Sequence, residues 1–375
     1  MNQIEKTLRK LEQEGNLRKI PEDTTGVKVI DLTSNDYLGI ASDKEFTHSF
    51  FSALKDENFL PTSSASRLLA SHQDDYTRLE SILSEAYGRS ALLFNSGFHA
   101  NVGIIKALGT KNTLFIADKL VHASIIDGLN LSLTSGATFM RFRHNDFAHL
   151  RKIMENHGEK YERVIIVAES IYSMDGDQTD LDALTEVRDM HPNAMLYIDE
   201  AHAVGVIGNR GLGLSYSHNK YDKVDLIIGT FGKAFASMGA YAIVKPEMRE
   251  YLVNTARSLI FSTALPPLTV RWSAASFRYA LEAEHARKHL GELGKELGQI
   301  LGGPVNAHIQ ALHAGDPHRA IKMSEVLQRH GYRALPIRTP TVPPGTDRLR
   351  FSLSAALSLE DISSLRHIIP TLRNT

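Results

Sequence analysis

Between residues 91 and 244 short apolar runs alternate with longer amphipathic stretches, and few folds accept that alternation. The runs are ALLFN (91–95), TLFIA (113–117), RVIIVA (163–168), AMLYID (194–199), VDLIIGT (224–230) and AYAIV (240–244). Several are apolar throughout, the pattern of strands covered on both faces. Helical patterns such as HANVGIIKALG and LDALTEVRDMH lie between them. Strand–helix alternation predicts an α/β domain around a mostly parallel sheet. From about residue 265 the character changes. Pro266-Pro267 precedes a helical stretch over 268–300. Strand candidates VNAHIQAL (305–312) and RLRFSLS (348–354) follow, with a helix near 317–330 between them and a closing helix over 359–372. The expected organisation is an N-terminal segment (1–45), an α/β domain (46–265) and a smaller C-terminal α+β domain (266–375).

Bulk properties narrow the function classes. Lys and Arg total 42 against 43 Asp and Glu, a net charge of -1, and no basic block stands out. That argues against a nucleic-acid surface. The absence of cysteine excludes disulfides, thiolate metal sites and a catalytic thiol, and suits a cytoplasmic enzyme. MNQIEKTLRKLEQEG lacks the apolar core of a signal peptide. Its Ile4, Leu8 and Leu11 instead predict a short amphipathic helix. No apolar stretch approaches the roughly 20 residues of a membrane helix, so a soluble globular protein is expected.

Asp199-Glu200-Ala201-His202 spells the box of a helicase ATPase. Such a motor needs an upstream G-x-x-x-x-G-K-[ST] phosphate loop. Gly-Lys occurs only at Gly232-Lys233 and Gly294-Lys295, without the following hydroxyl or the upstream glycine. The motor reading fails. The glycines of GNRGLG (208–213) sit at the wrong offsets for a dinucleotide fingerprint and predict a loop.

Another chemistry fits. Ligands of open parallel sheets bind beyond the carboxyl ends of the strands. Asp199 ends one predicted strand, and Lys233 follows the next by three residues. Pyridoxal phosphate uses this pair: a lysine forms the Schiff base, and a carboxylate keeps the pyridinium nitrogen protonated. His202 is placed to reach the ring's phenolic oxygen. Asn95-Ser96-Gly97-Phe98-His99 opens a helix after a strand, a ready phosphate cradle. Thr230 and Ser262-Thr263 can add hydroxyls. Together these features predict a fold-type I pyridoxal-phosphate enzyme.

The motifs also carry a resemblance. From about residue 30 to 372 the chain resembles the α-oxoamine synthases, and among them the members serving biotin biosynthesis. The matching stretches include Ser34-Asn35-Asp36-Tyr37-Leu38-Gly39, Ser66-Arg67-Leu68, Asn95-Ser96-Gly97-Phe98, His122-Ala123-Ser124, Glu169-Ser170-Ile171-Tyr172-Ser173, Asp199-Glu200-Ala201-His202, Thr230-Phe231-Gly232-Lys233, Phe261-Ser262-Thr263 and Arg348-Leu349-Arg350. RFRHND (141–146), PTSSASRLL (61–69) and IRTPTVP (337–343) favour the biotin members. One departure is Thr62-Ser63-Ser64-Ala65, where those members often read glycine-rich.

The resemblance implies roles. Lys233 would carry the cofactor and act as base on L-alanine. His122 would stack on the ring, Ser173 and His202 would contact its phenolic oxygen, and Glu169 would border the site. Asn35 and Arg350 would hold the amino acid's carboxylate. Arg18, Arg338 and Thr341 would contact the acyl substrate. The implied reaction is an acyl transfer in which alanine and a pimeloyl thioester, on coenzyme A or a carrier protein, give 8-amino-7-oxononanoate. A homodimer with shared sites is implied, Ser262 and Thr263 reaching the partner's phosphate. Three alternatives stay open: a glycine C-acetyltransferase, an aminotransferase, and a non-catalytic subunit, the last disfavoured by the presence of Lys233.

Overall fold

A computed structural model of the chain describes residues 2–20, 29–55, 60–71, 73–303 and 307–374. Among them lie twelve strands: β1 (Ile30–Asp31), β2 (Ser90–Phe94), β3 (Thr113–Asp118), β4 (Thr138–Phe142), β5 (Arg163–Glu169), β6 (Ala194–Asp199), β7 (Leu226–Thr230), β8 (Ala240–Val244), β9 (Ile309–His313), β10 (Tyr332–Arg333), β11 (Leu335–Ile337) and β12 (Arg348–Ser352). The chain forms two compact units, one of residues 38–172 and 178–284, the other of residues 1–37, 173–177 and 285–375.

The larger unit is built on a seven-stranded sheet, ordered β2-β8-β7-β6-β5-β3-β4. Strands β3 to β7 pair in parallel, whereas β8 runs antiparallel to both β7 and β2. The expected parallel α/β sheet is present. β3, β7 and β8 are buried along their whole length, which is why they read as unbroken apolar runs. β4 was absent from the sequence reading. It is the edge strand, half-buried with Arg141 exposed, so it carries no uniform apolar signal. The helices Gly97–Leu108 and Ala123–Ser132 pack closely beside the sheet. A Cβ at Gly128 would come within 3.0 Å of the Asn101 carbonyl oxygen and 3.1 Å of Ile105 Cβ, so glycine there lets the two helices meet. Phe115, Ile165, Val167, Ile104 and Leu129 share the resulting core.

The smaller unit contains the antiparallel sheet β11-β12-β9 and the two-residue parallel pair β1–β10. Its helix Glu284–Leu301 buries Leu290, Leu293, Leu297 and Leu301, a helical-period stripe. The return segment 173–177 lies against β9: a Cβ on Gly176 would fall 2.0 Å from the Ile309 carbonyl oxygen. The N-terminal helix forms over Gln3–Gln13 with an Asn2/Glu5 capping box, and its Ile4 and Leu8 stay exposed.

Three expected elements differ. The stretch 268–300 is two helices, Pro267–Glu282 and Glu284–Leu301, interrupted at Ala283, where ψ swings to 41°. The break falls where the chain leaves the larger unit, a change of packing partner that helical periodicity does not register. The closing helix is Leu359–Ser363, a 3-10 turn and Ile369–Arg373, because Pro370 supplies no amide to continue the first turns. In VNAHIQAL the strand starts at Ile309, and residues 304–306 lie outside those described. Among the described residues no helix is long and apolar enough to cross a membrane.

Candidate active site

Register across the larger sheet sets the site. Glu169 ends β5 directly opposite Asp199, which ends β6, and β7 continues past it to Thr230. Asp199 is 5% exposed. Its Oδ1 accepts the Ala201 amide at 2.9 Å and its Oδ2 the Asn101 side-chain amide at 2.8 Å. Glu200 has a different task. It accepts the amides of Leu214 at 3.0 Å and Ser215 at 2.7 Å, plus the Ser215 hydroxyl. Burial pushes its carboxyl up, and these bonds draw it back down. Glu200 therefore pins the GNRGLG stretch, a turn in which Gly208, Gly211 and Gly213 take positive φ, as its composition suggested. Of the other letters of the helicase-like box, Asp199 meets Asn101 and His202 meets Lys233.

Lys233 projects from the loop after β7. Its Nζ lies 3.0 Å from Nε2 of the buried His202. The loop is closed by Phe231 donating to the Gly239 carbonyl at 2.9 Å and Ala236 to the Lys233 carbonyl at 2.8 Å. Ala236 takes φ 47, a left-handed value disfavoured for alanine. Thr230 accepts the Gly232 amide at 3.2 Å and donates to the Gly239 carbonyl at 3.1 Å. Its hydroxyl thus first serves the loop.

His122 and Glu169 join this cluster. The His122 amide donates to Glu169 Oε1. Burial first, then the charge of Asp199, push the Glu169 carboxyl well above the ordinary carboxylate range, against the pull of Lys233. The His122 imidazole is lowered from its ordinary value by partial desolvation of the ring, opposed by Asp199 and aided by the Lys233 charge, although the residue as a whole is exposed.

A cradle adjoins the sheet. Ser96 caps the helix Gly97–Leu108, accepting the His99 amide at 3.2 Å. A Cβ on Gly97 would lie 3.9 Å from Thr230, so the cap and the end of β7 are neighbours. Phe98 is half exposed. Asn95 donates to the Thr263 carbonyl at 2.6 Å, and Thr263 pairs with Ser66, which draws the segment of Ser262 and Thr263 beside the cap. The loop before Ser66 holds Ser64 at φ 46, a conformation glycine takes without strain. The helix terminus can bind an anion, Asp199 can hold a protonated ring nitrogen, and Lys233 can attack a carbonyl. These residues fit a phosphorylated aromatic aldehyde.

The smaller unit holds two further clusters. Arg350 is 5% exposed, donating from Nε to the Ser173 carbonyl at 2.6 Å and from Nη2 to Asn35 Oδ1 at 3.0 Å. Tyr37 and Ser352 also donate to Asn35 Oδ1. Burial pushes the Tyr37 phenol up to about 12, against the Arg350 charge, so it remains a donor. Separately, Arg18 donates to Thr341 Oγ1 at 2.6 Å, and Arg338 donates to the Gly15 and Leu17 carbonyls. Burial, then the nearby Arg18 charge, lower the Arg338 guanidinium. Ser173 thus meets Arg350 through its backbone.

Asn101, Ser124 and Tyr197 escaped the sequence reading as site residues. Asn101 sits 1% exposed in the apolar pattern HANVGIIKALG, and a polar residue on a buried helix face is a signal that was available.

The model of the family "Aminotransferase class I and II" matches residues 27–369. A putative 8-amino-7-oxononanoate synthase of Pasteurella multocida is 45% identical over 348 residues, 91% of this chain and 88% of its own. The 8-amino-7-oxononanoate synthase of Chlorobaculum parvum is 44% identical over 359 residues, covering 93% and 91% of the two chains. Among solved structures, SPT with a PLP internal aldimine superposes with a TM-score of 0.88 at 27% identity, covering 98% of this chain and 96% of that one.

Proposed function

The chain belongs to the class I and II aminotransferase family, and from that premise we propose that it is a pyridoxal-phosphate-dependent α-oxoamine synthase joining L-alanine to a pimeloyl thioester. The products are 8-amino-7-oxononanoate, carbon dioxide and the free thiol, a step of biotin biosynthesis. The observation that supports this reading is that buried Asp199 ends β6 and Lys233 follows the adjacent strand β7, its Nζ meeting His202 from the loop after β6. Relatives of 44–45% identity over about nine-tenths of the chain carry that activity in their names.

Bound pyridoxal phosphate supplies an electron sink for negative charge at the amino acid's α-carbon. The chain's residues do the rest. Asp199 holds a proton on the ring nitrogen, which keeps that sink effective. Lys233 would hold the cofactor covalently and would move the α-proton of the amino acid. His122 would cover the ring face, its backbone amide held by Glu169. His202 would donate toward the phenolic oxygen, and the family resemblance gives Ser173 the same role. The amides after Ser96 and Gly97, beside Phe98 and Thr230, bind the phosphate. Ser262 and Thr263 do the same from a partner subunit in a homodimer. Asn35 and Arg350 hold the amino acid's carboxylate, while Arg18, Arg338 and Thr341 meet the acyl substrate. The enzyme works in the cytoplasm on a thioester of coenzyme A or a carrier protein.

Mass spectrometry of products from alanine or glycine with a panel of acyl thioesters tests the assignment. The C9 amino ketone from alanine and the pimeloyl thioester is expected to dominate. Dominance of the glycine–acetyl product would overturn the choice of substrates. Borohydride reduction and peptide mapping should place the pyridoxyl group on Lys233, and a label on another lysine would overturn that role.

A further inference from the structure

A chain of hydrogen bonds, buried except at the exposed His122, links Asp199 to His122 through residues with no role so far. It crosses three elements: Asn101 on the helix Gly97–Leu108, Ser124 on the helix Ala123–Ser132, and Tyr197 on β6. Asn101 is 1% exposed, and Ser124 and Tyr197 are 0%. Tyr197 donates its hydroxyl to Asn101 Oδ1 at 2.6 Å. The Asn101 amide nitrogen donates to Asp199 Oδ2 at 2.8 Å and to Ser124 Oγ at 2.9 Å. Ser124 Oγ lies 2.7 Å from His122 Nδ1, and the Ser124 amide also points at that nitrogen, at 3.2 Å.

Donor and acceptor counting fixes every proton in this chain. A flipped Asn101 would set its oxygen against the Asp199 carboxylate, two acceptors face to face, and would leave Asp199 Oδ2 without its donor. The amide is therefore held as drawn, both of its hydrogens spent. Ser124 Oγ accepts one of them and keeps a second lone pair, so it is the Ser124 amide, donating to His122 Nδ1 at 3.2 Å, that makes this nitrogen an acceptor and turns the hydroxyl hydrogen toward it. The same amide contact caps its helix. Nδ1 has no room for a proton, and the neutral ring carries its hydrogen on Nε2.

We propose that Asn101 is the positioning residue of this site, aiming Asp199 as a pure acceptor and, through Ser124, locking His122 as the neutral Nε2–H tautomer. This rests on the functional reading above only in its purpose. A neutral imidazole can lie over a protonated pyridine ring, whereas an imidazolium would repel it. The relay couples the two requirements: the geometry that keeps Asp199 ready for the ring proton also keeps His122 uncharged. Polar networks of this kind hold their members only while fully satisfied.

The test starts without the cofactor. In 15N–1H correlation spectra of the histidine-labelled apo-protein, with His122 assigned by loss of its signal in His122→Gln, Nδ1 should be unprotonated and Nε2 protonated at neutral pH. A protonated Nδ1 would overturn the proposal. Asn101→Leu keeps the volume and removes the amide. It should mix the His122 tautomers and weaken pyridoxal phosphate binding by fluorescence titration at least ~10-fold, the loss of one hydrogen bond to a charge. Unchanged tautomer and unchanged affinity sink the idea. If that variant does not fold, Tyr197→Phe decides: loss of the donor that holds Asn101 should still weaken binding ~2- to 5-fold, and an unchanged His122 spectrum and affinity would overturn the relay. A wild-type protein that shows the tautomer but binds no pyridoxal phosphate would instead refute the functional reading.

Discussion

Asp199 in the larger unit and Arg350 in the smaller are buried charges held by neutral partners, whereas the charges that hold each unit together are paired. Asp199 takes an amide side chain and a backbone N–H, and Arg350 takes two carbonyl oxygens. Among the described residues neither makes an ion pair. By contrast Glu80 meets Arg67 through two bonds of 2.8 and 3.0 Å and meets Arg249 at 2.9 Å. Arg348, two residues before Arg350 on the same strand, is bound to Asp175. A buried charge without a counter-charge is costly, and it persists where an incoming group will supply the opposite sign. Within the single strand β12 Arg348 is ion-paired and Arg350 is held by neutral groups.

The comparison breaks first at Glu80. Glu80→Gln leaves Arg67 and Arg249 without their counter-charge and should cost roughly 3–5 kcal/mol of stability, read as a large fall in the urea midpoint. Burial alone would raise the Glu80 carboxyl, but Arg67, the Leu93 amide and Arg249 hold it below its ordinary 4.5. Its folded value is depressed, so its contribution is present above pH 4.5 and is lost as pH falls through the lower folded value. Acid unfolding of the wild type should steepen there, and the variant should lack that component.

At Asp199 the expectation reverses. Asp199→Asn removes an unpaired buried charge but sets an NH2 against the Asn101 or Ala201 donor, so it should lower the midpoint less than Glu80→Gln does, yet lower kcat/KM by ~100-fold or more, about 3 kcal/mol. A large stability loss with turnover intact would move Asp199 to the scaffold. A subtler contrast pits Arg350→Lys against Arg348→Lys. The first should weaken alanine binding, followed by the cofactor's visible spectrum, by ~10- to 150-fold through loss of one arm of a fork, about 1.5–3 kcal/mol. The second should lower stability and leave alanine binding within ~3-fold. Equal effects on binding would dissolve the distinction. The smallest effect concerns strain. Ala236→Gly relieves the left-handed backbone of the lysine loop and should raise the thermal midpoint by the equivalent of ~1 kcal/mol. A lower midpoint would show that the alanine methyl, not the backbone, governs that loop.

Strand ends were readable because parallel strands advertise themselves by apolar runs, and the residue after such a run is where ligands bind. Asp199 and Lys233 emerged that way. The cap at Ser96 and Gly97 emerged from helix-start chemistry. Arg350 and Asn35 did not, because 315 residues separate them and only a shared motif order linked them. Asn101 and Tyr197 were hidden for a different reason. Each lies within an apolar pattern, and their partnership needs a helix and β6 brought together at one point. Edge strand β4 and the interruption at Ala283 were missed because both depend on what the neighbouring element covers.

The pairing of β2 with β8, from Ser90 opposite Val244 to Phe94 opposite Ala240, has a consequence in time. A ribosome releases β2 about 150 residues before its partner, an interval of roughly 10–30 s at ordinary synthesis rates of ~5–20 residues per second. Throughout it β2 has nowhere to dock, and β7, made only about ten residues before β8, adds a bare strand edge at the end of the interval. Nascent chains stalled before residue 240 should therefore be the most dependent on chaperones and the quickest to associate with one another.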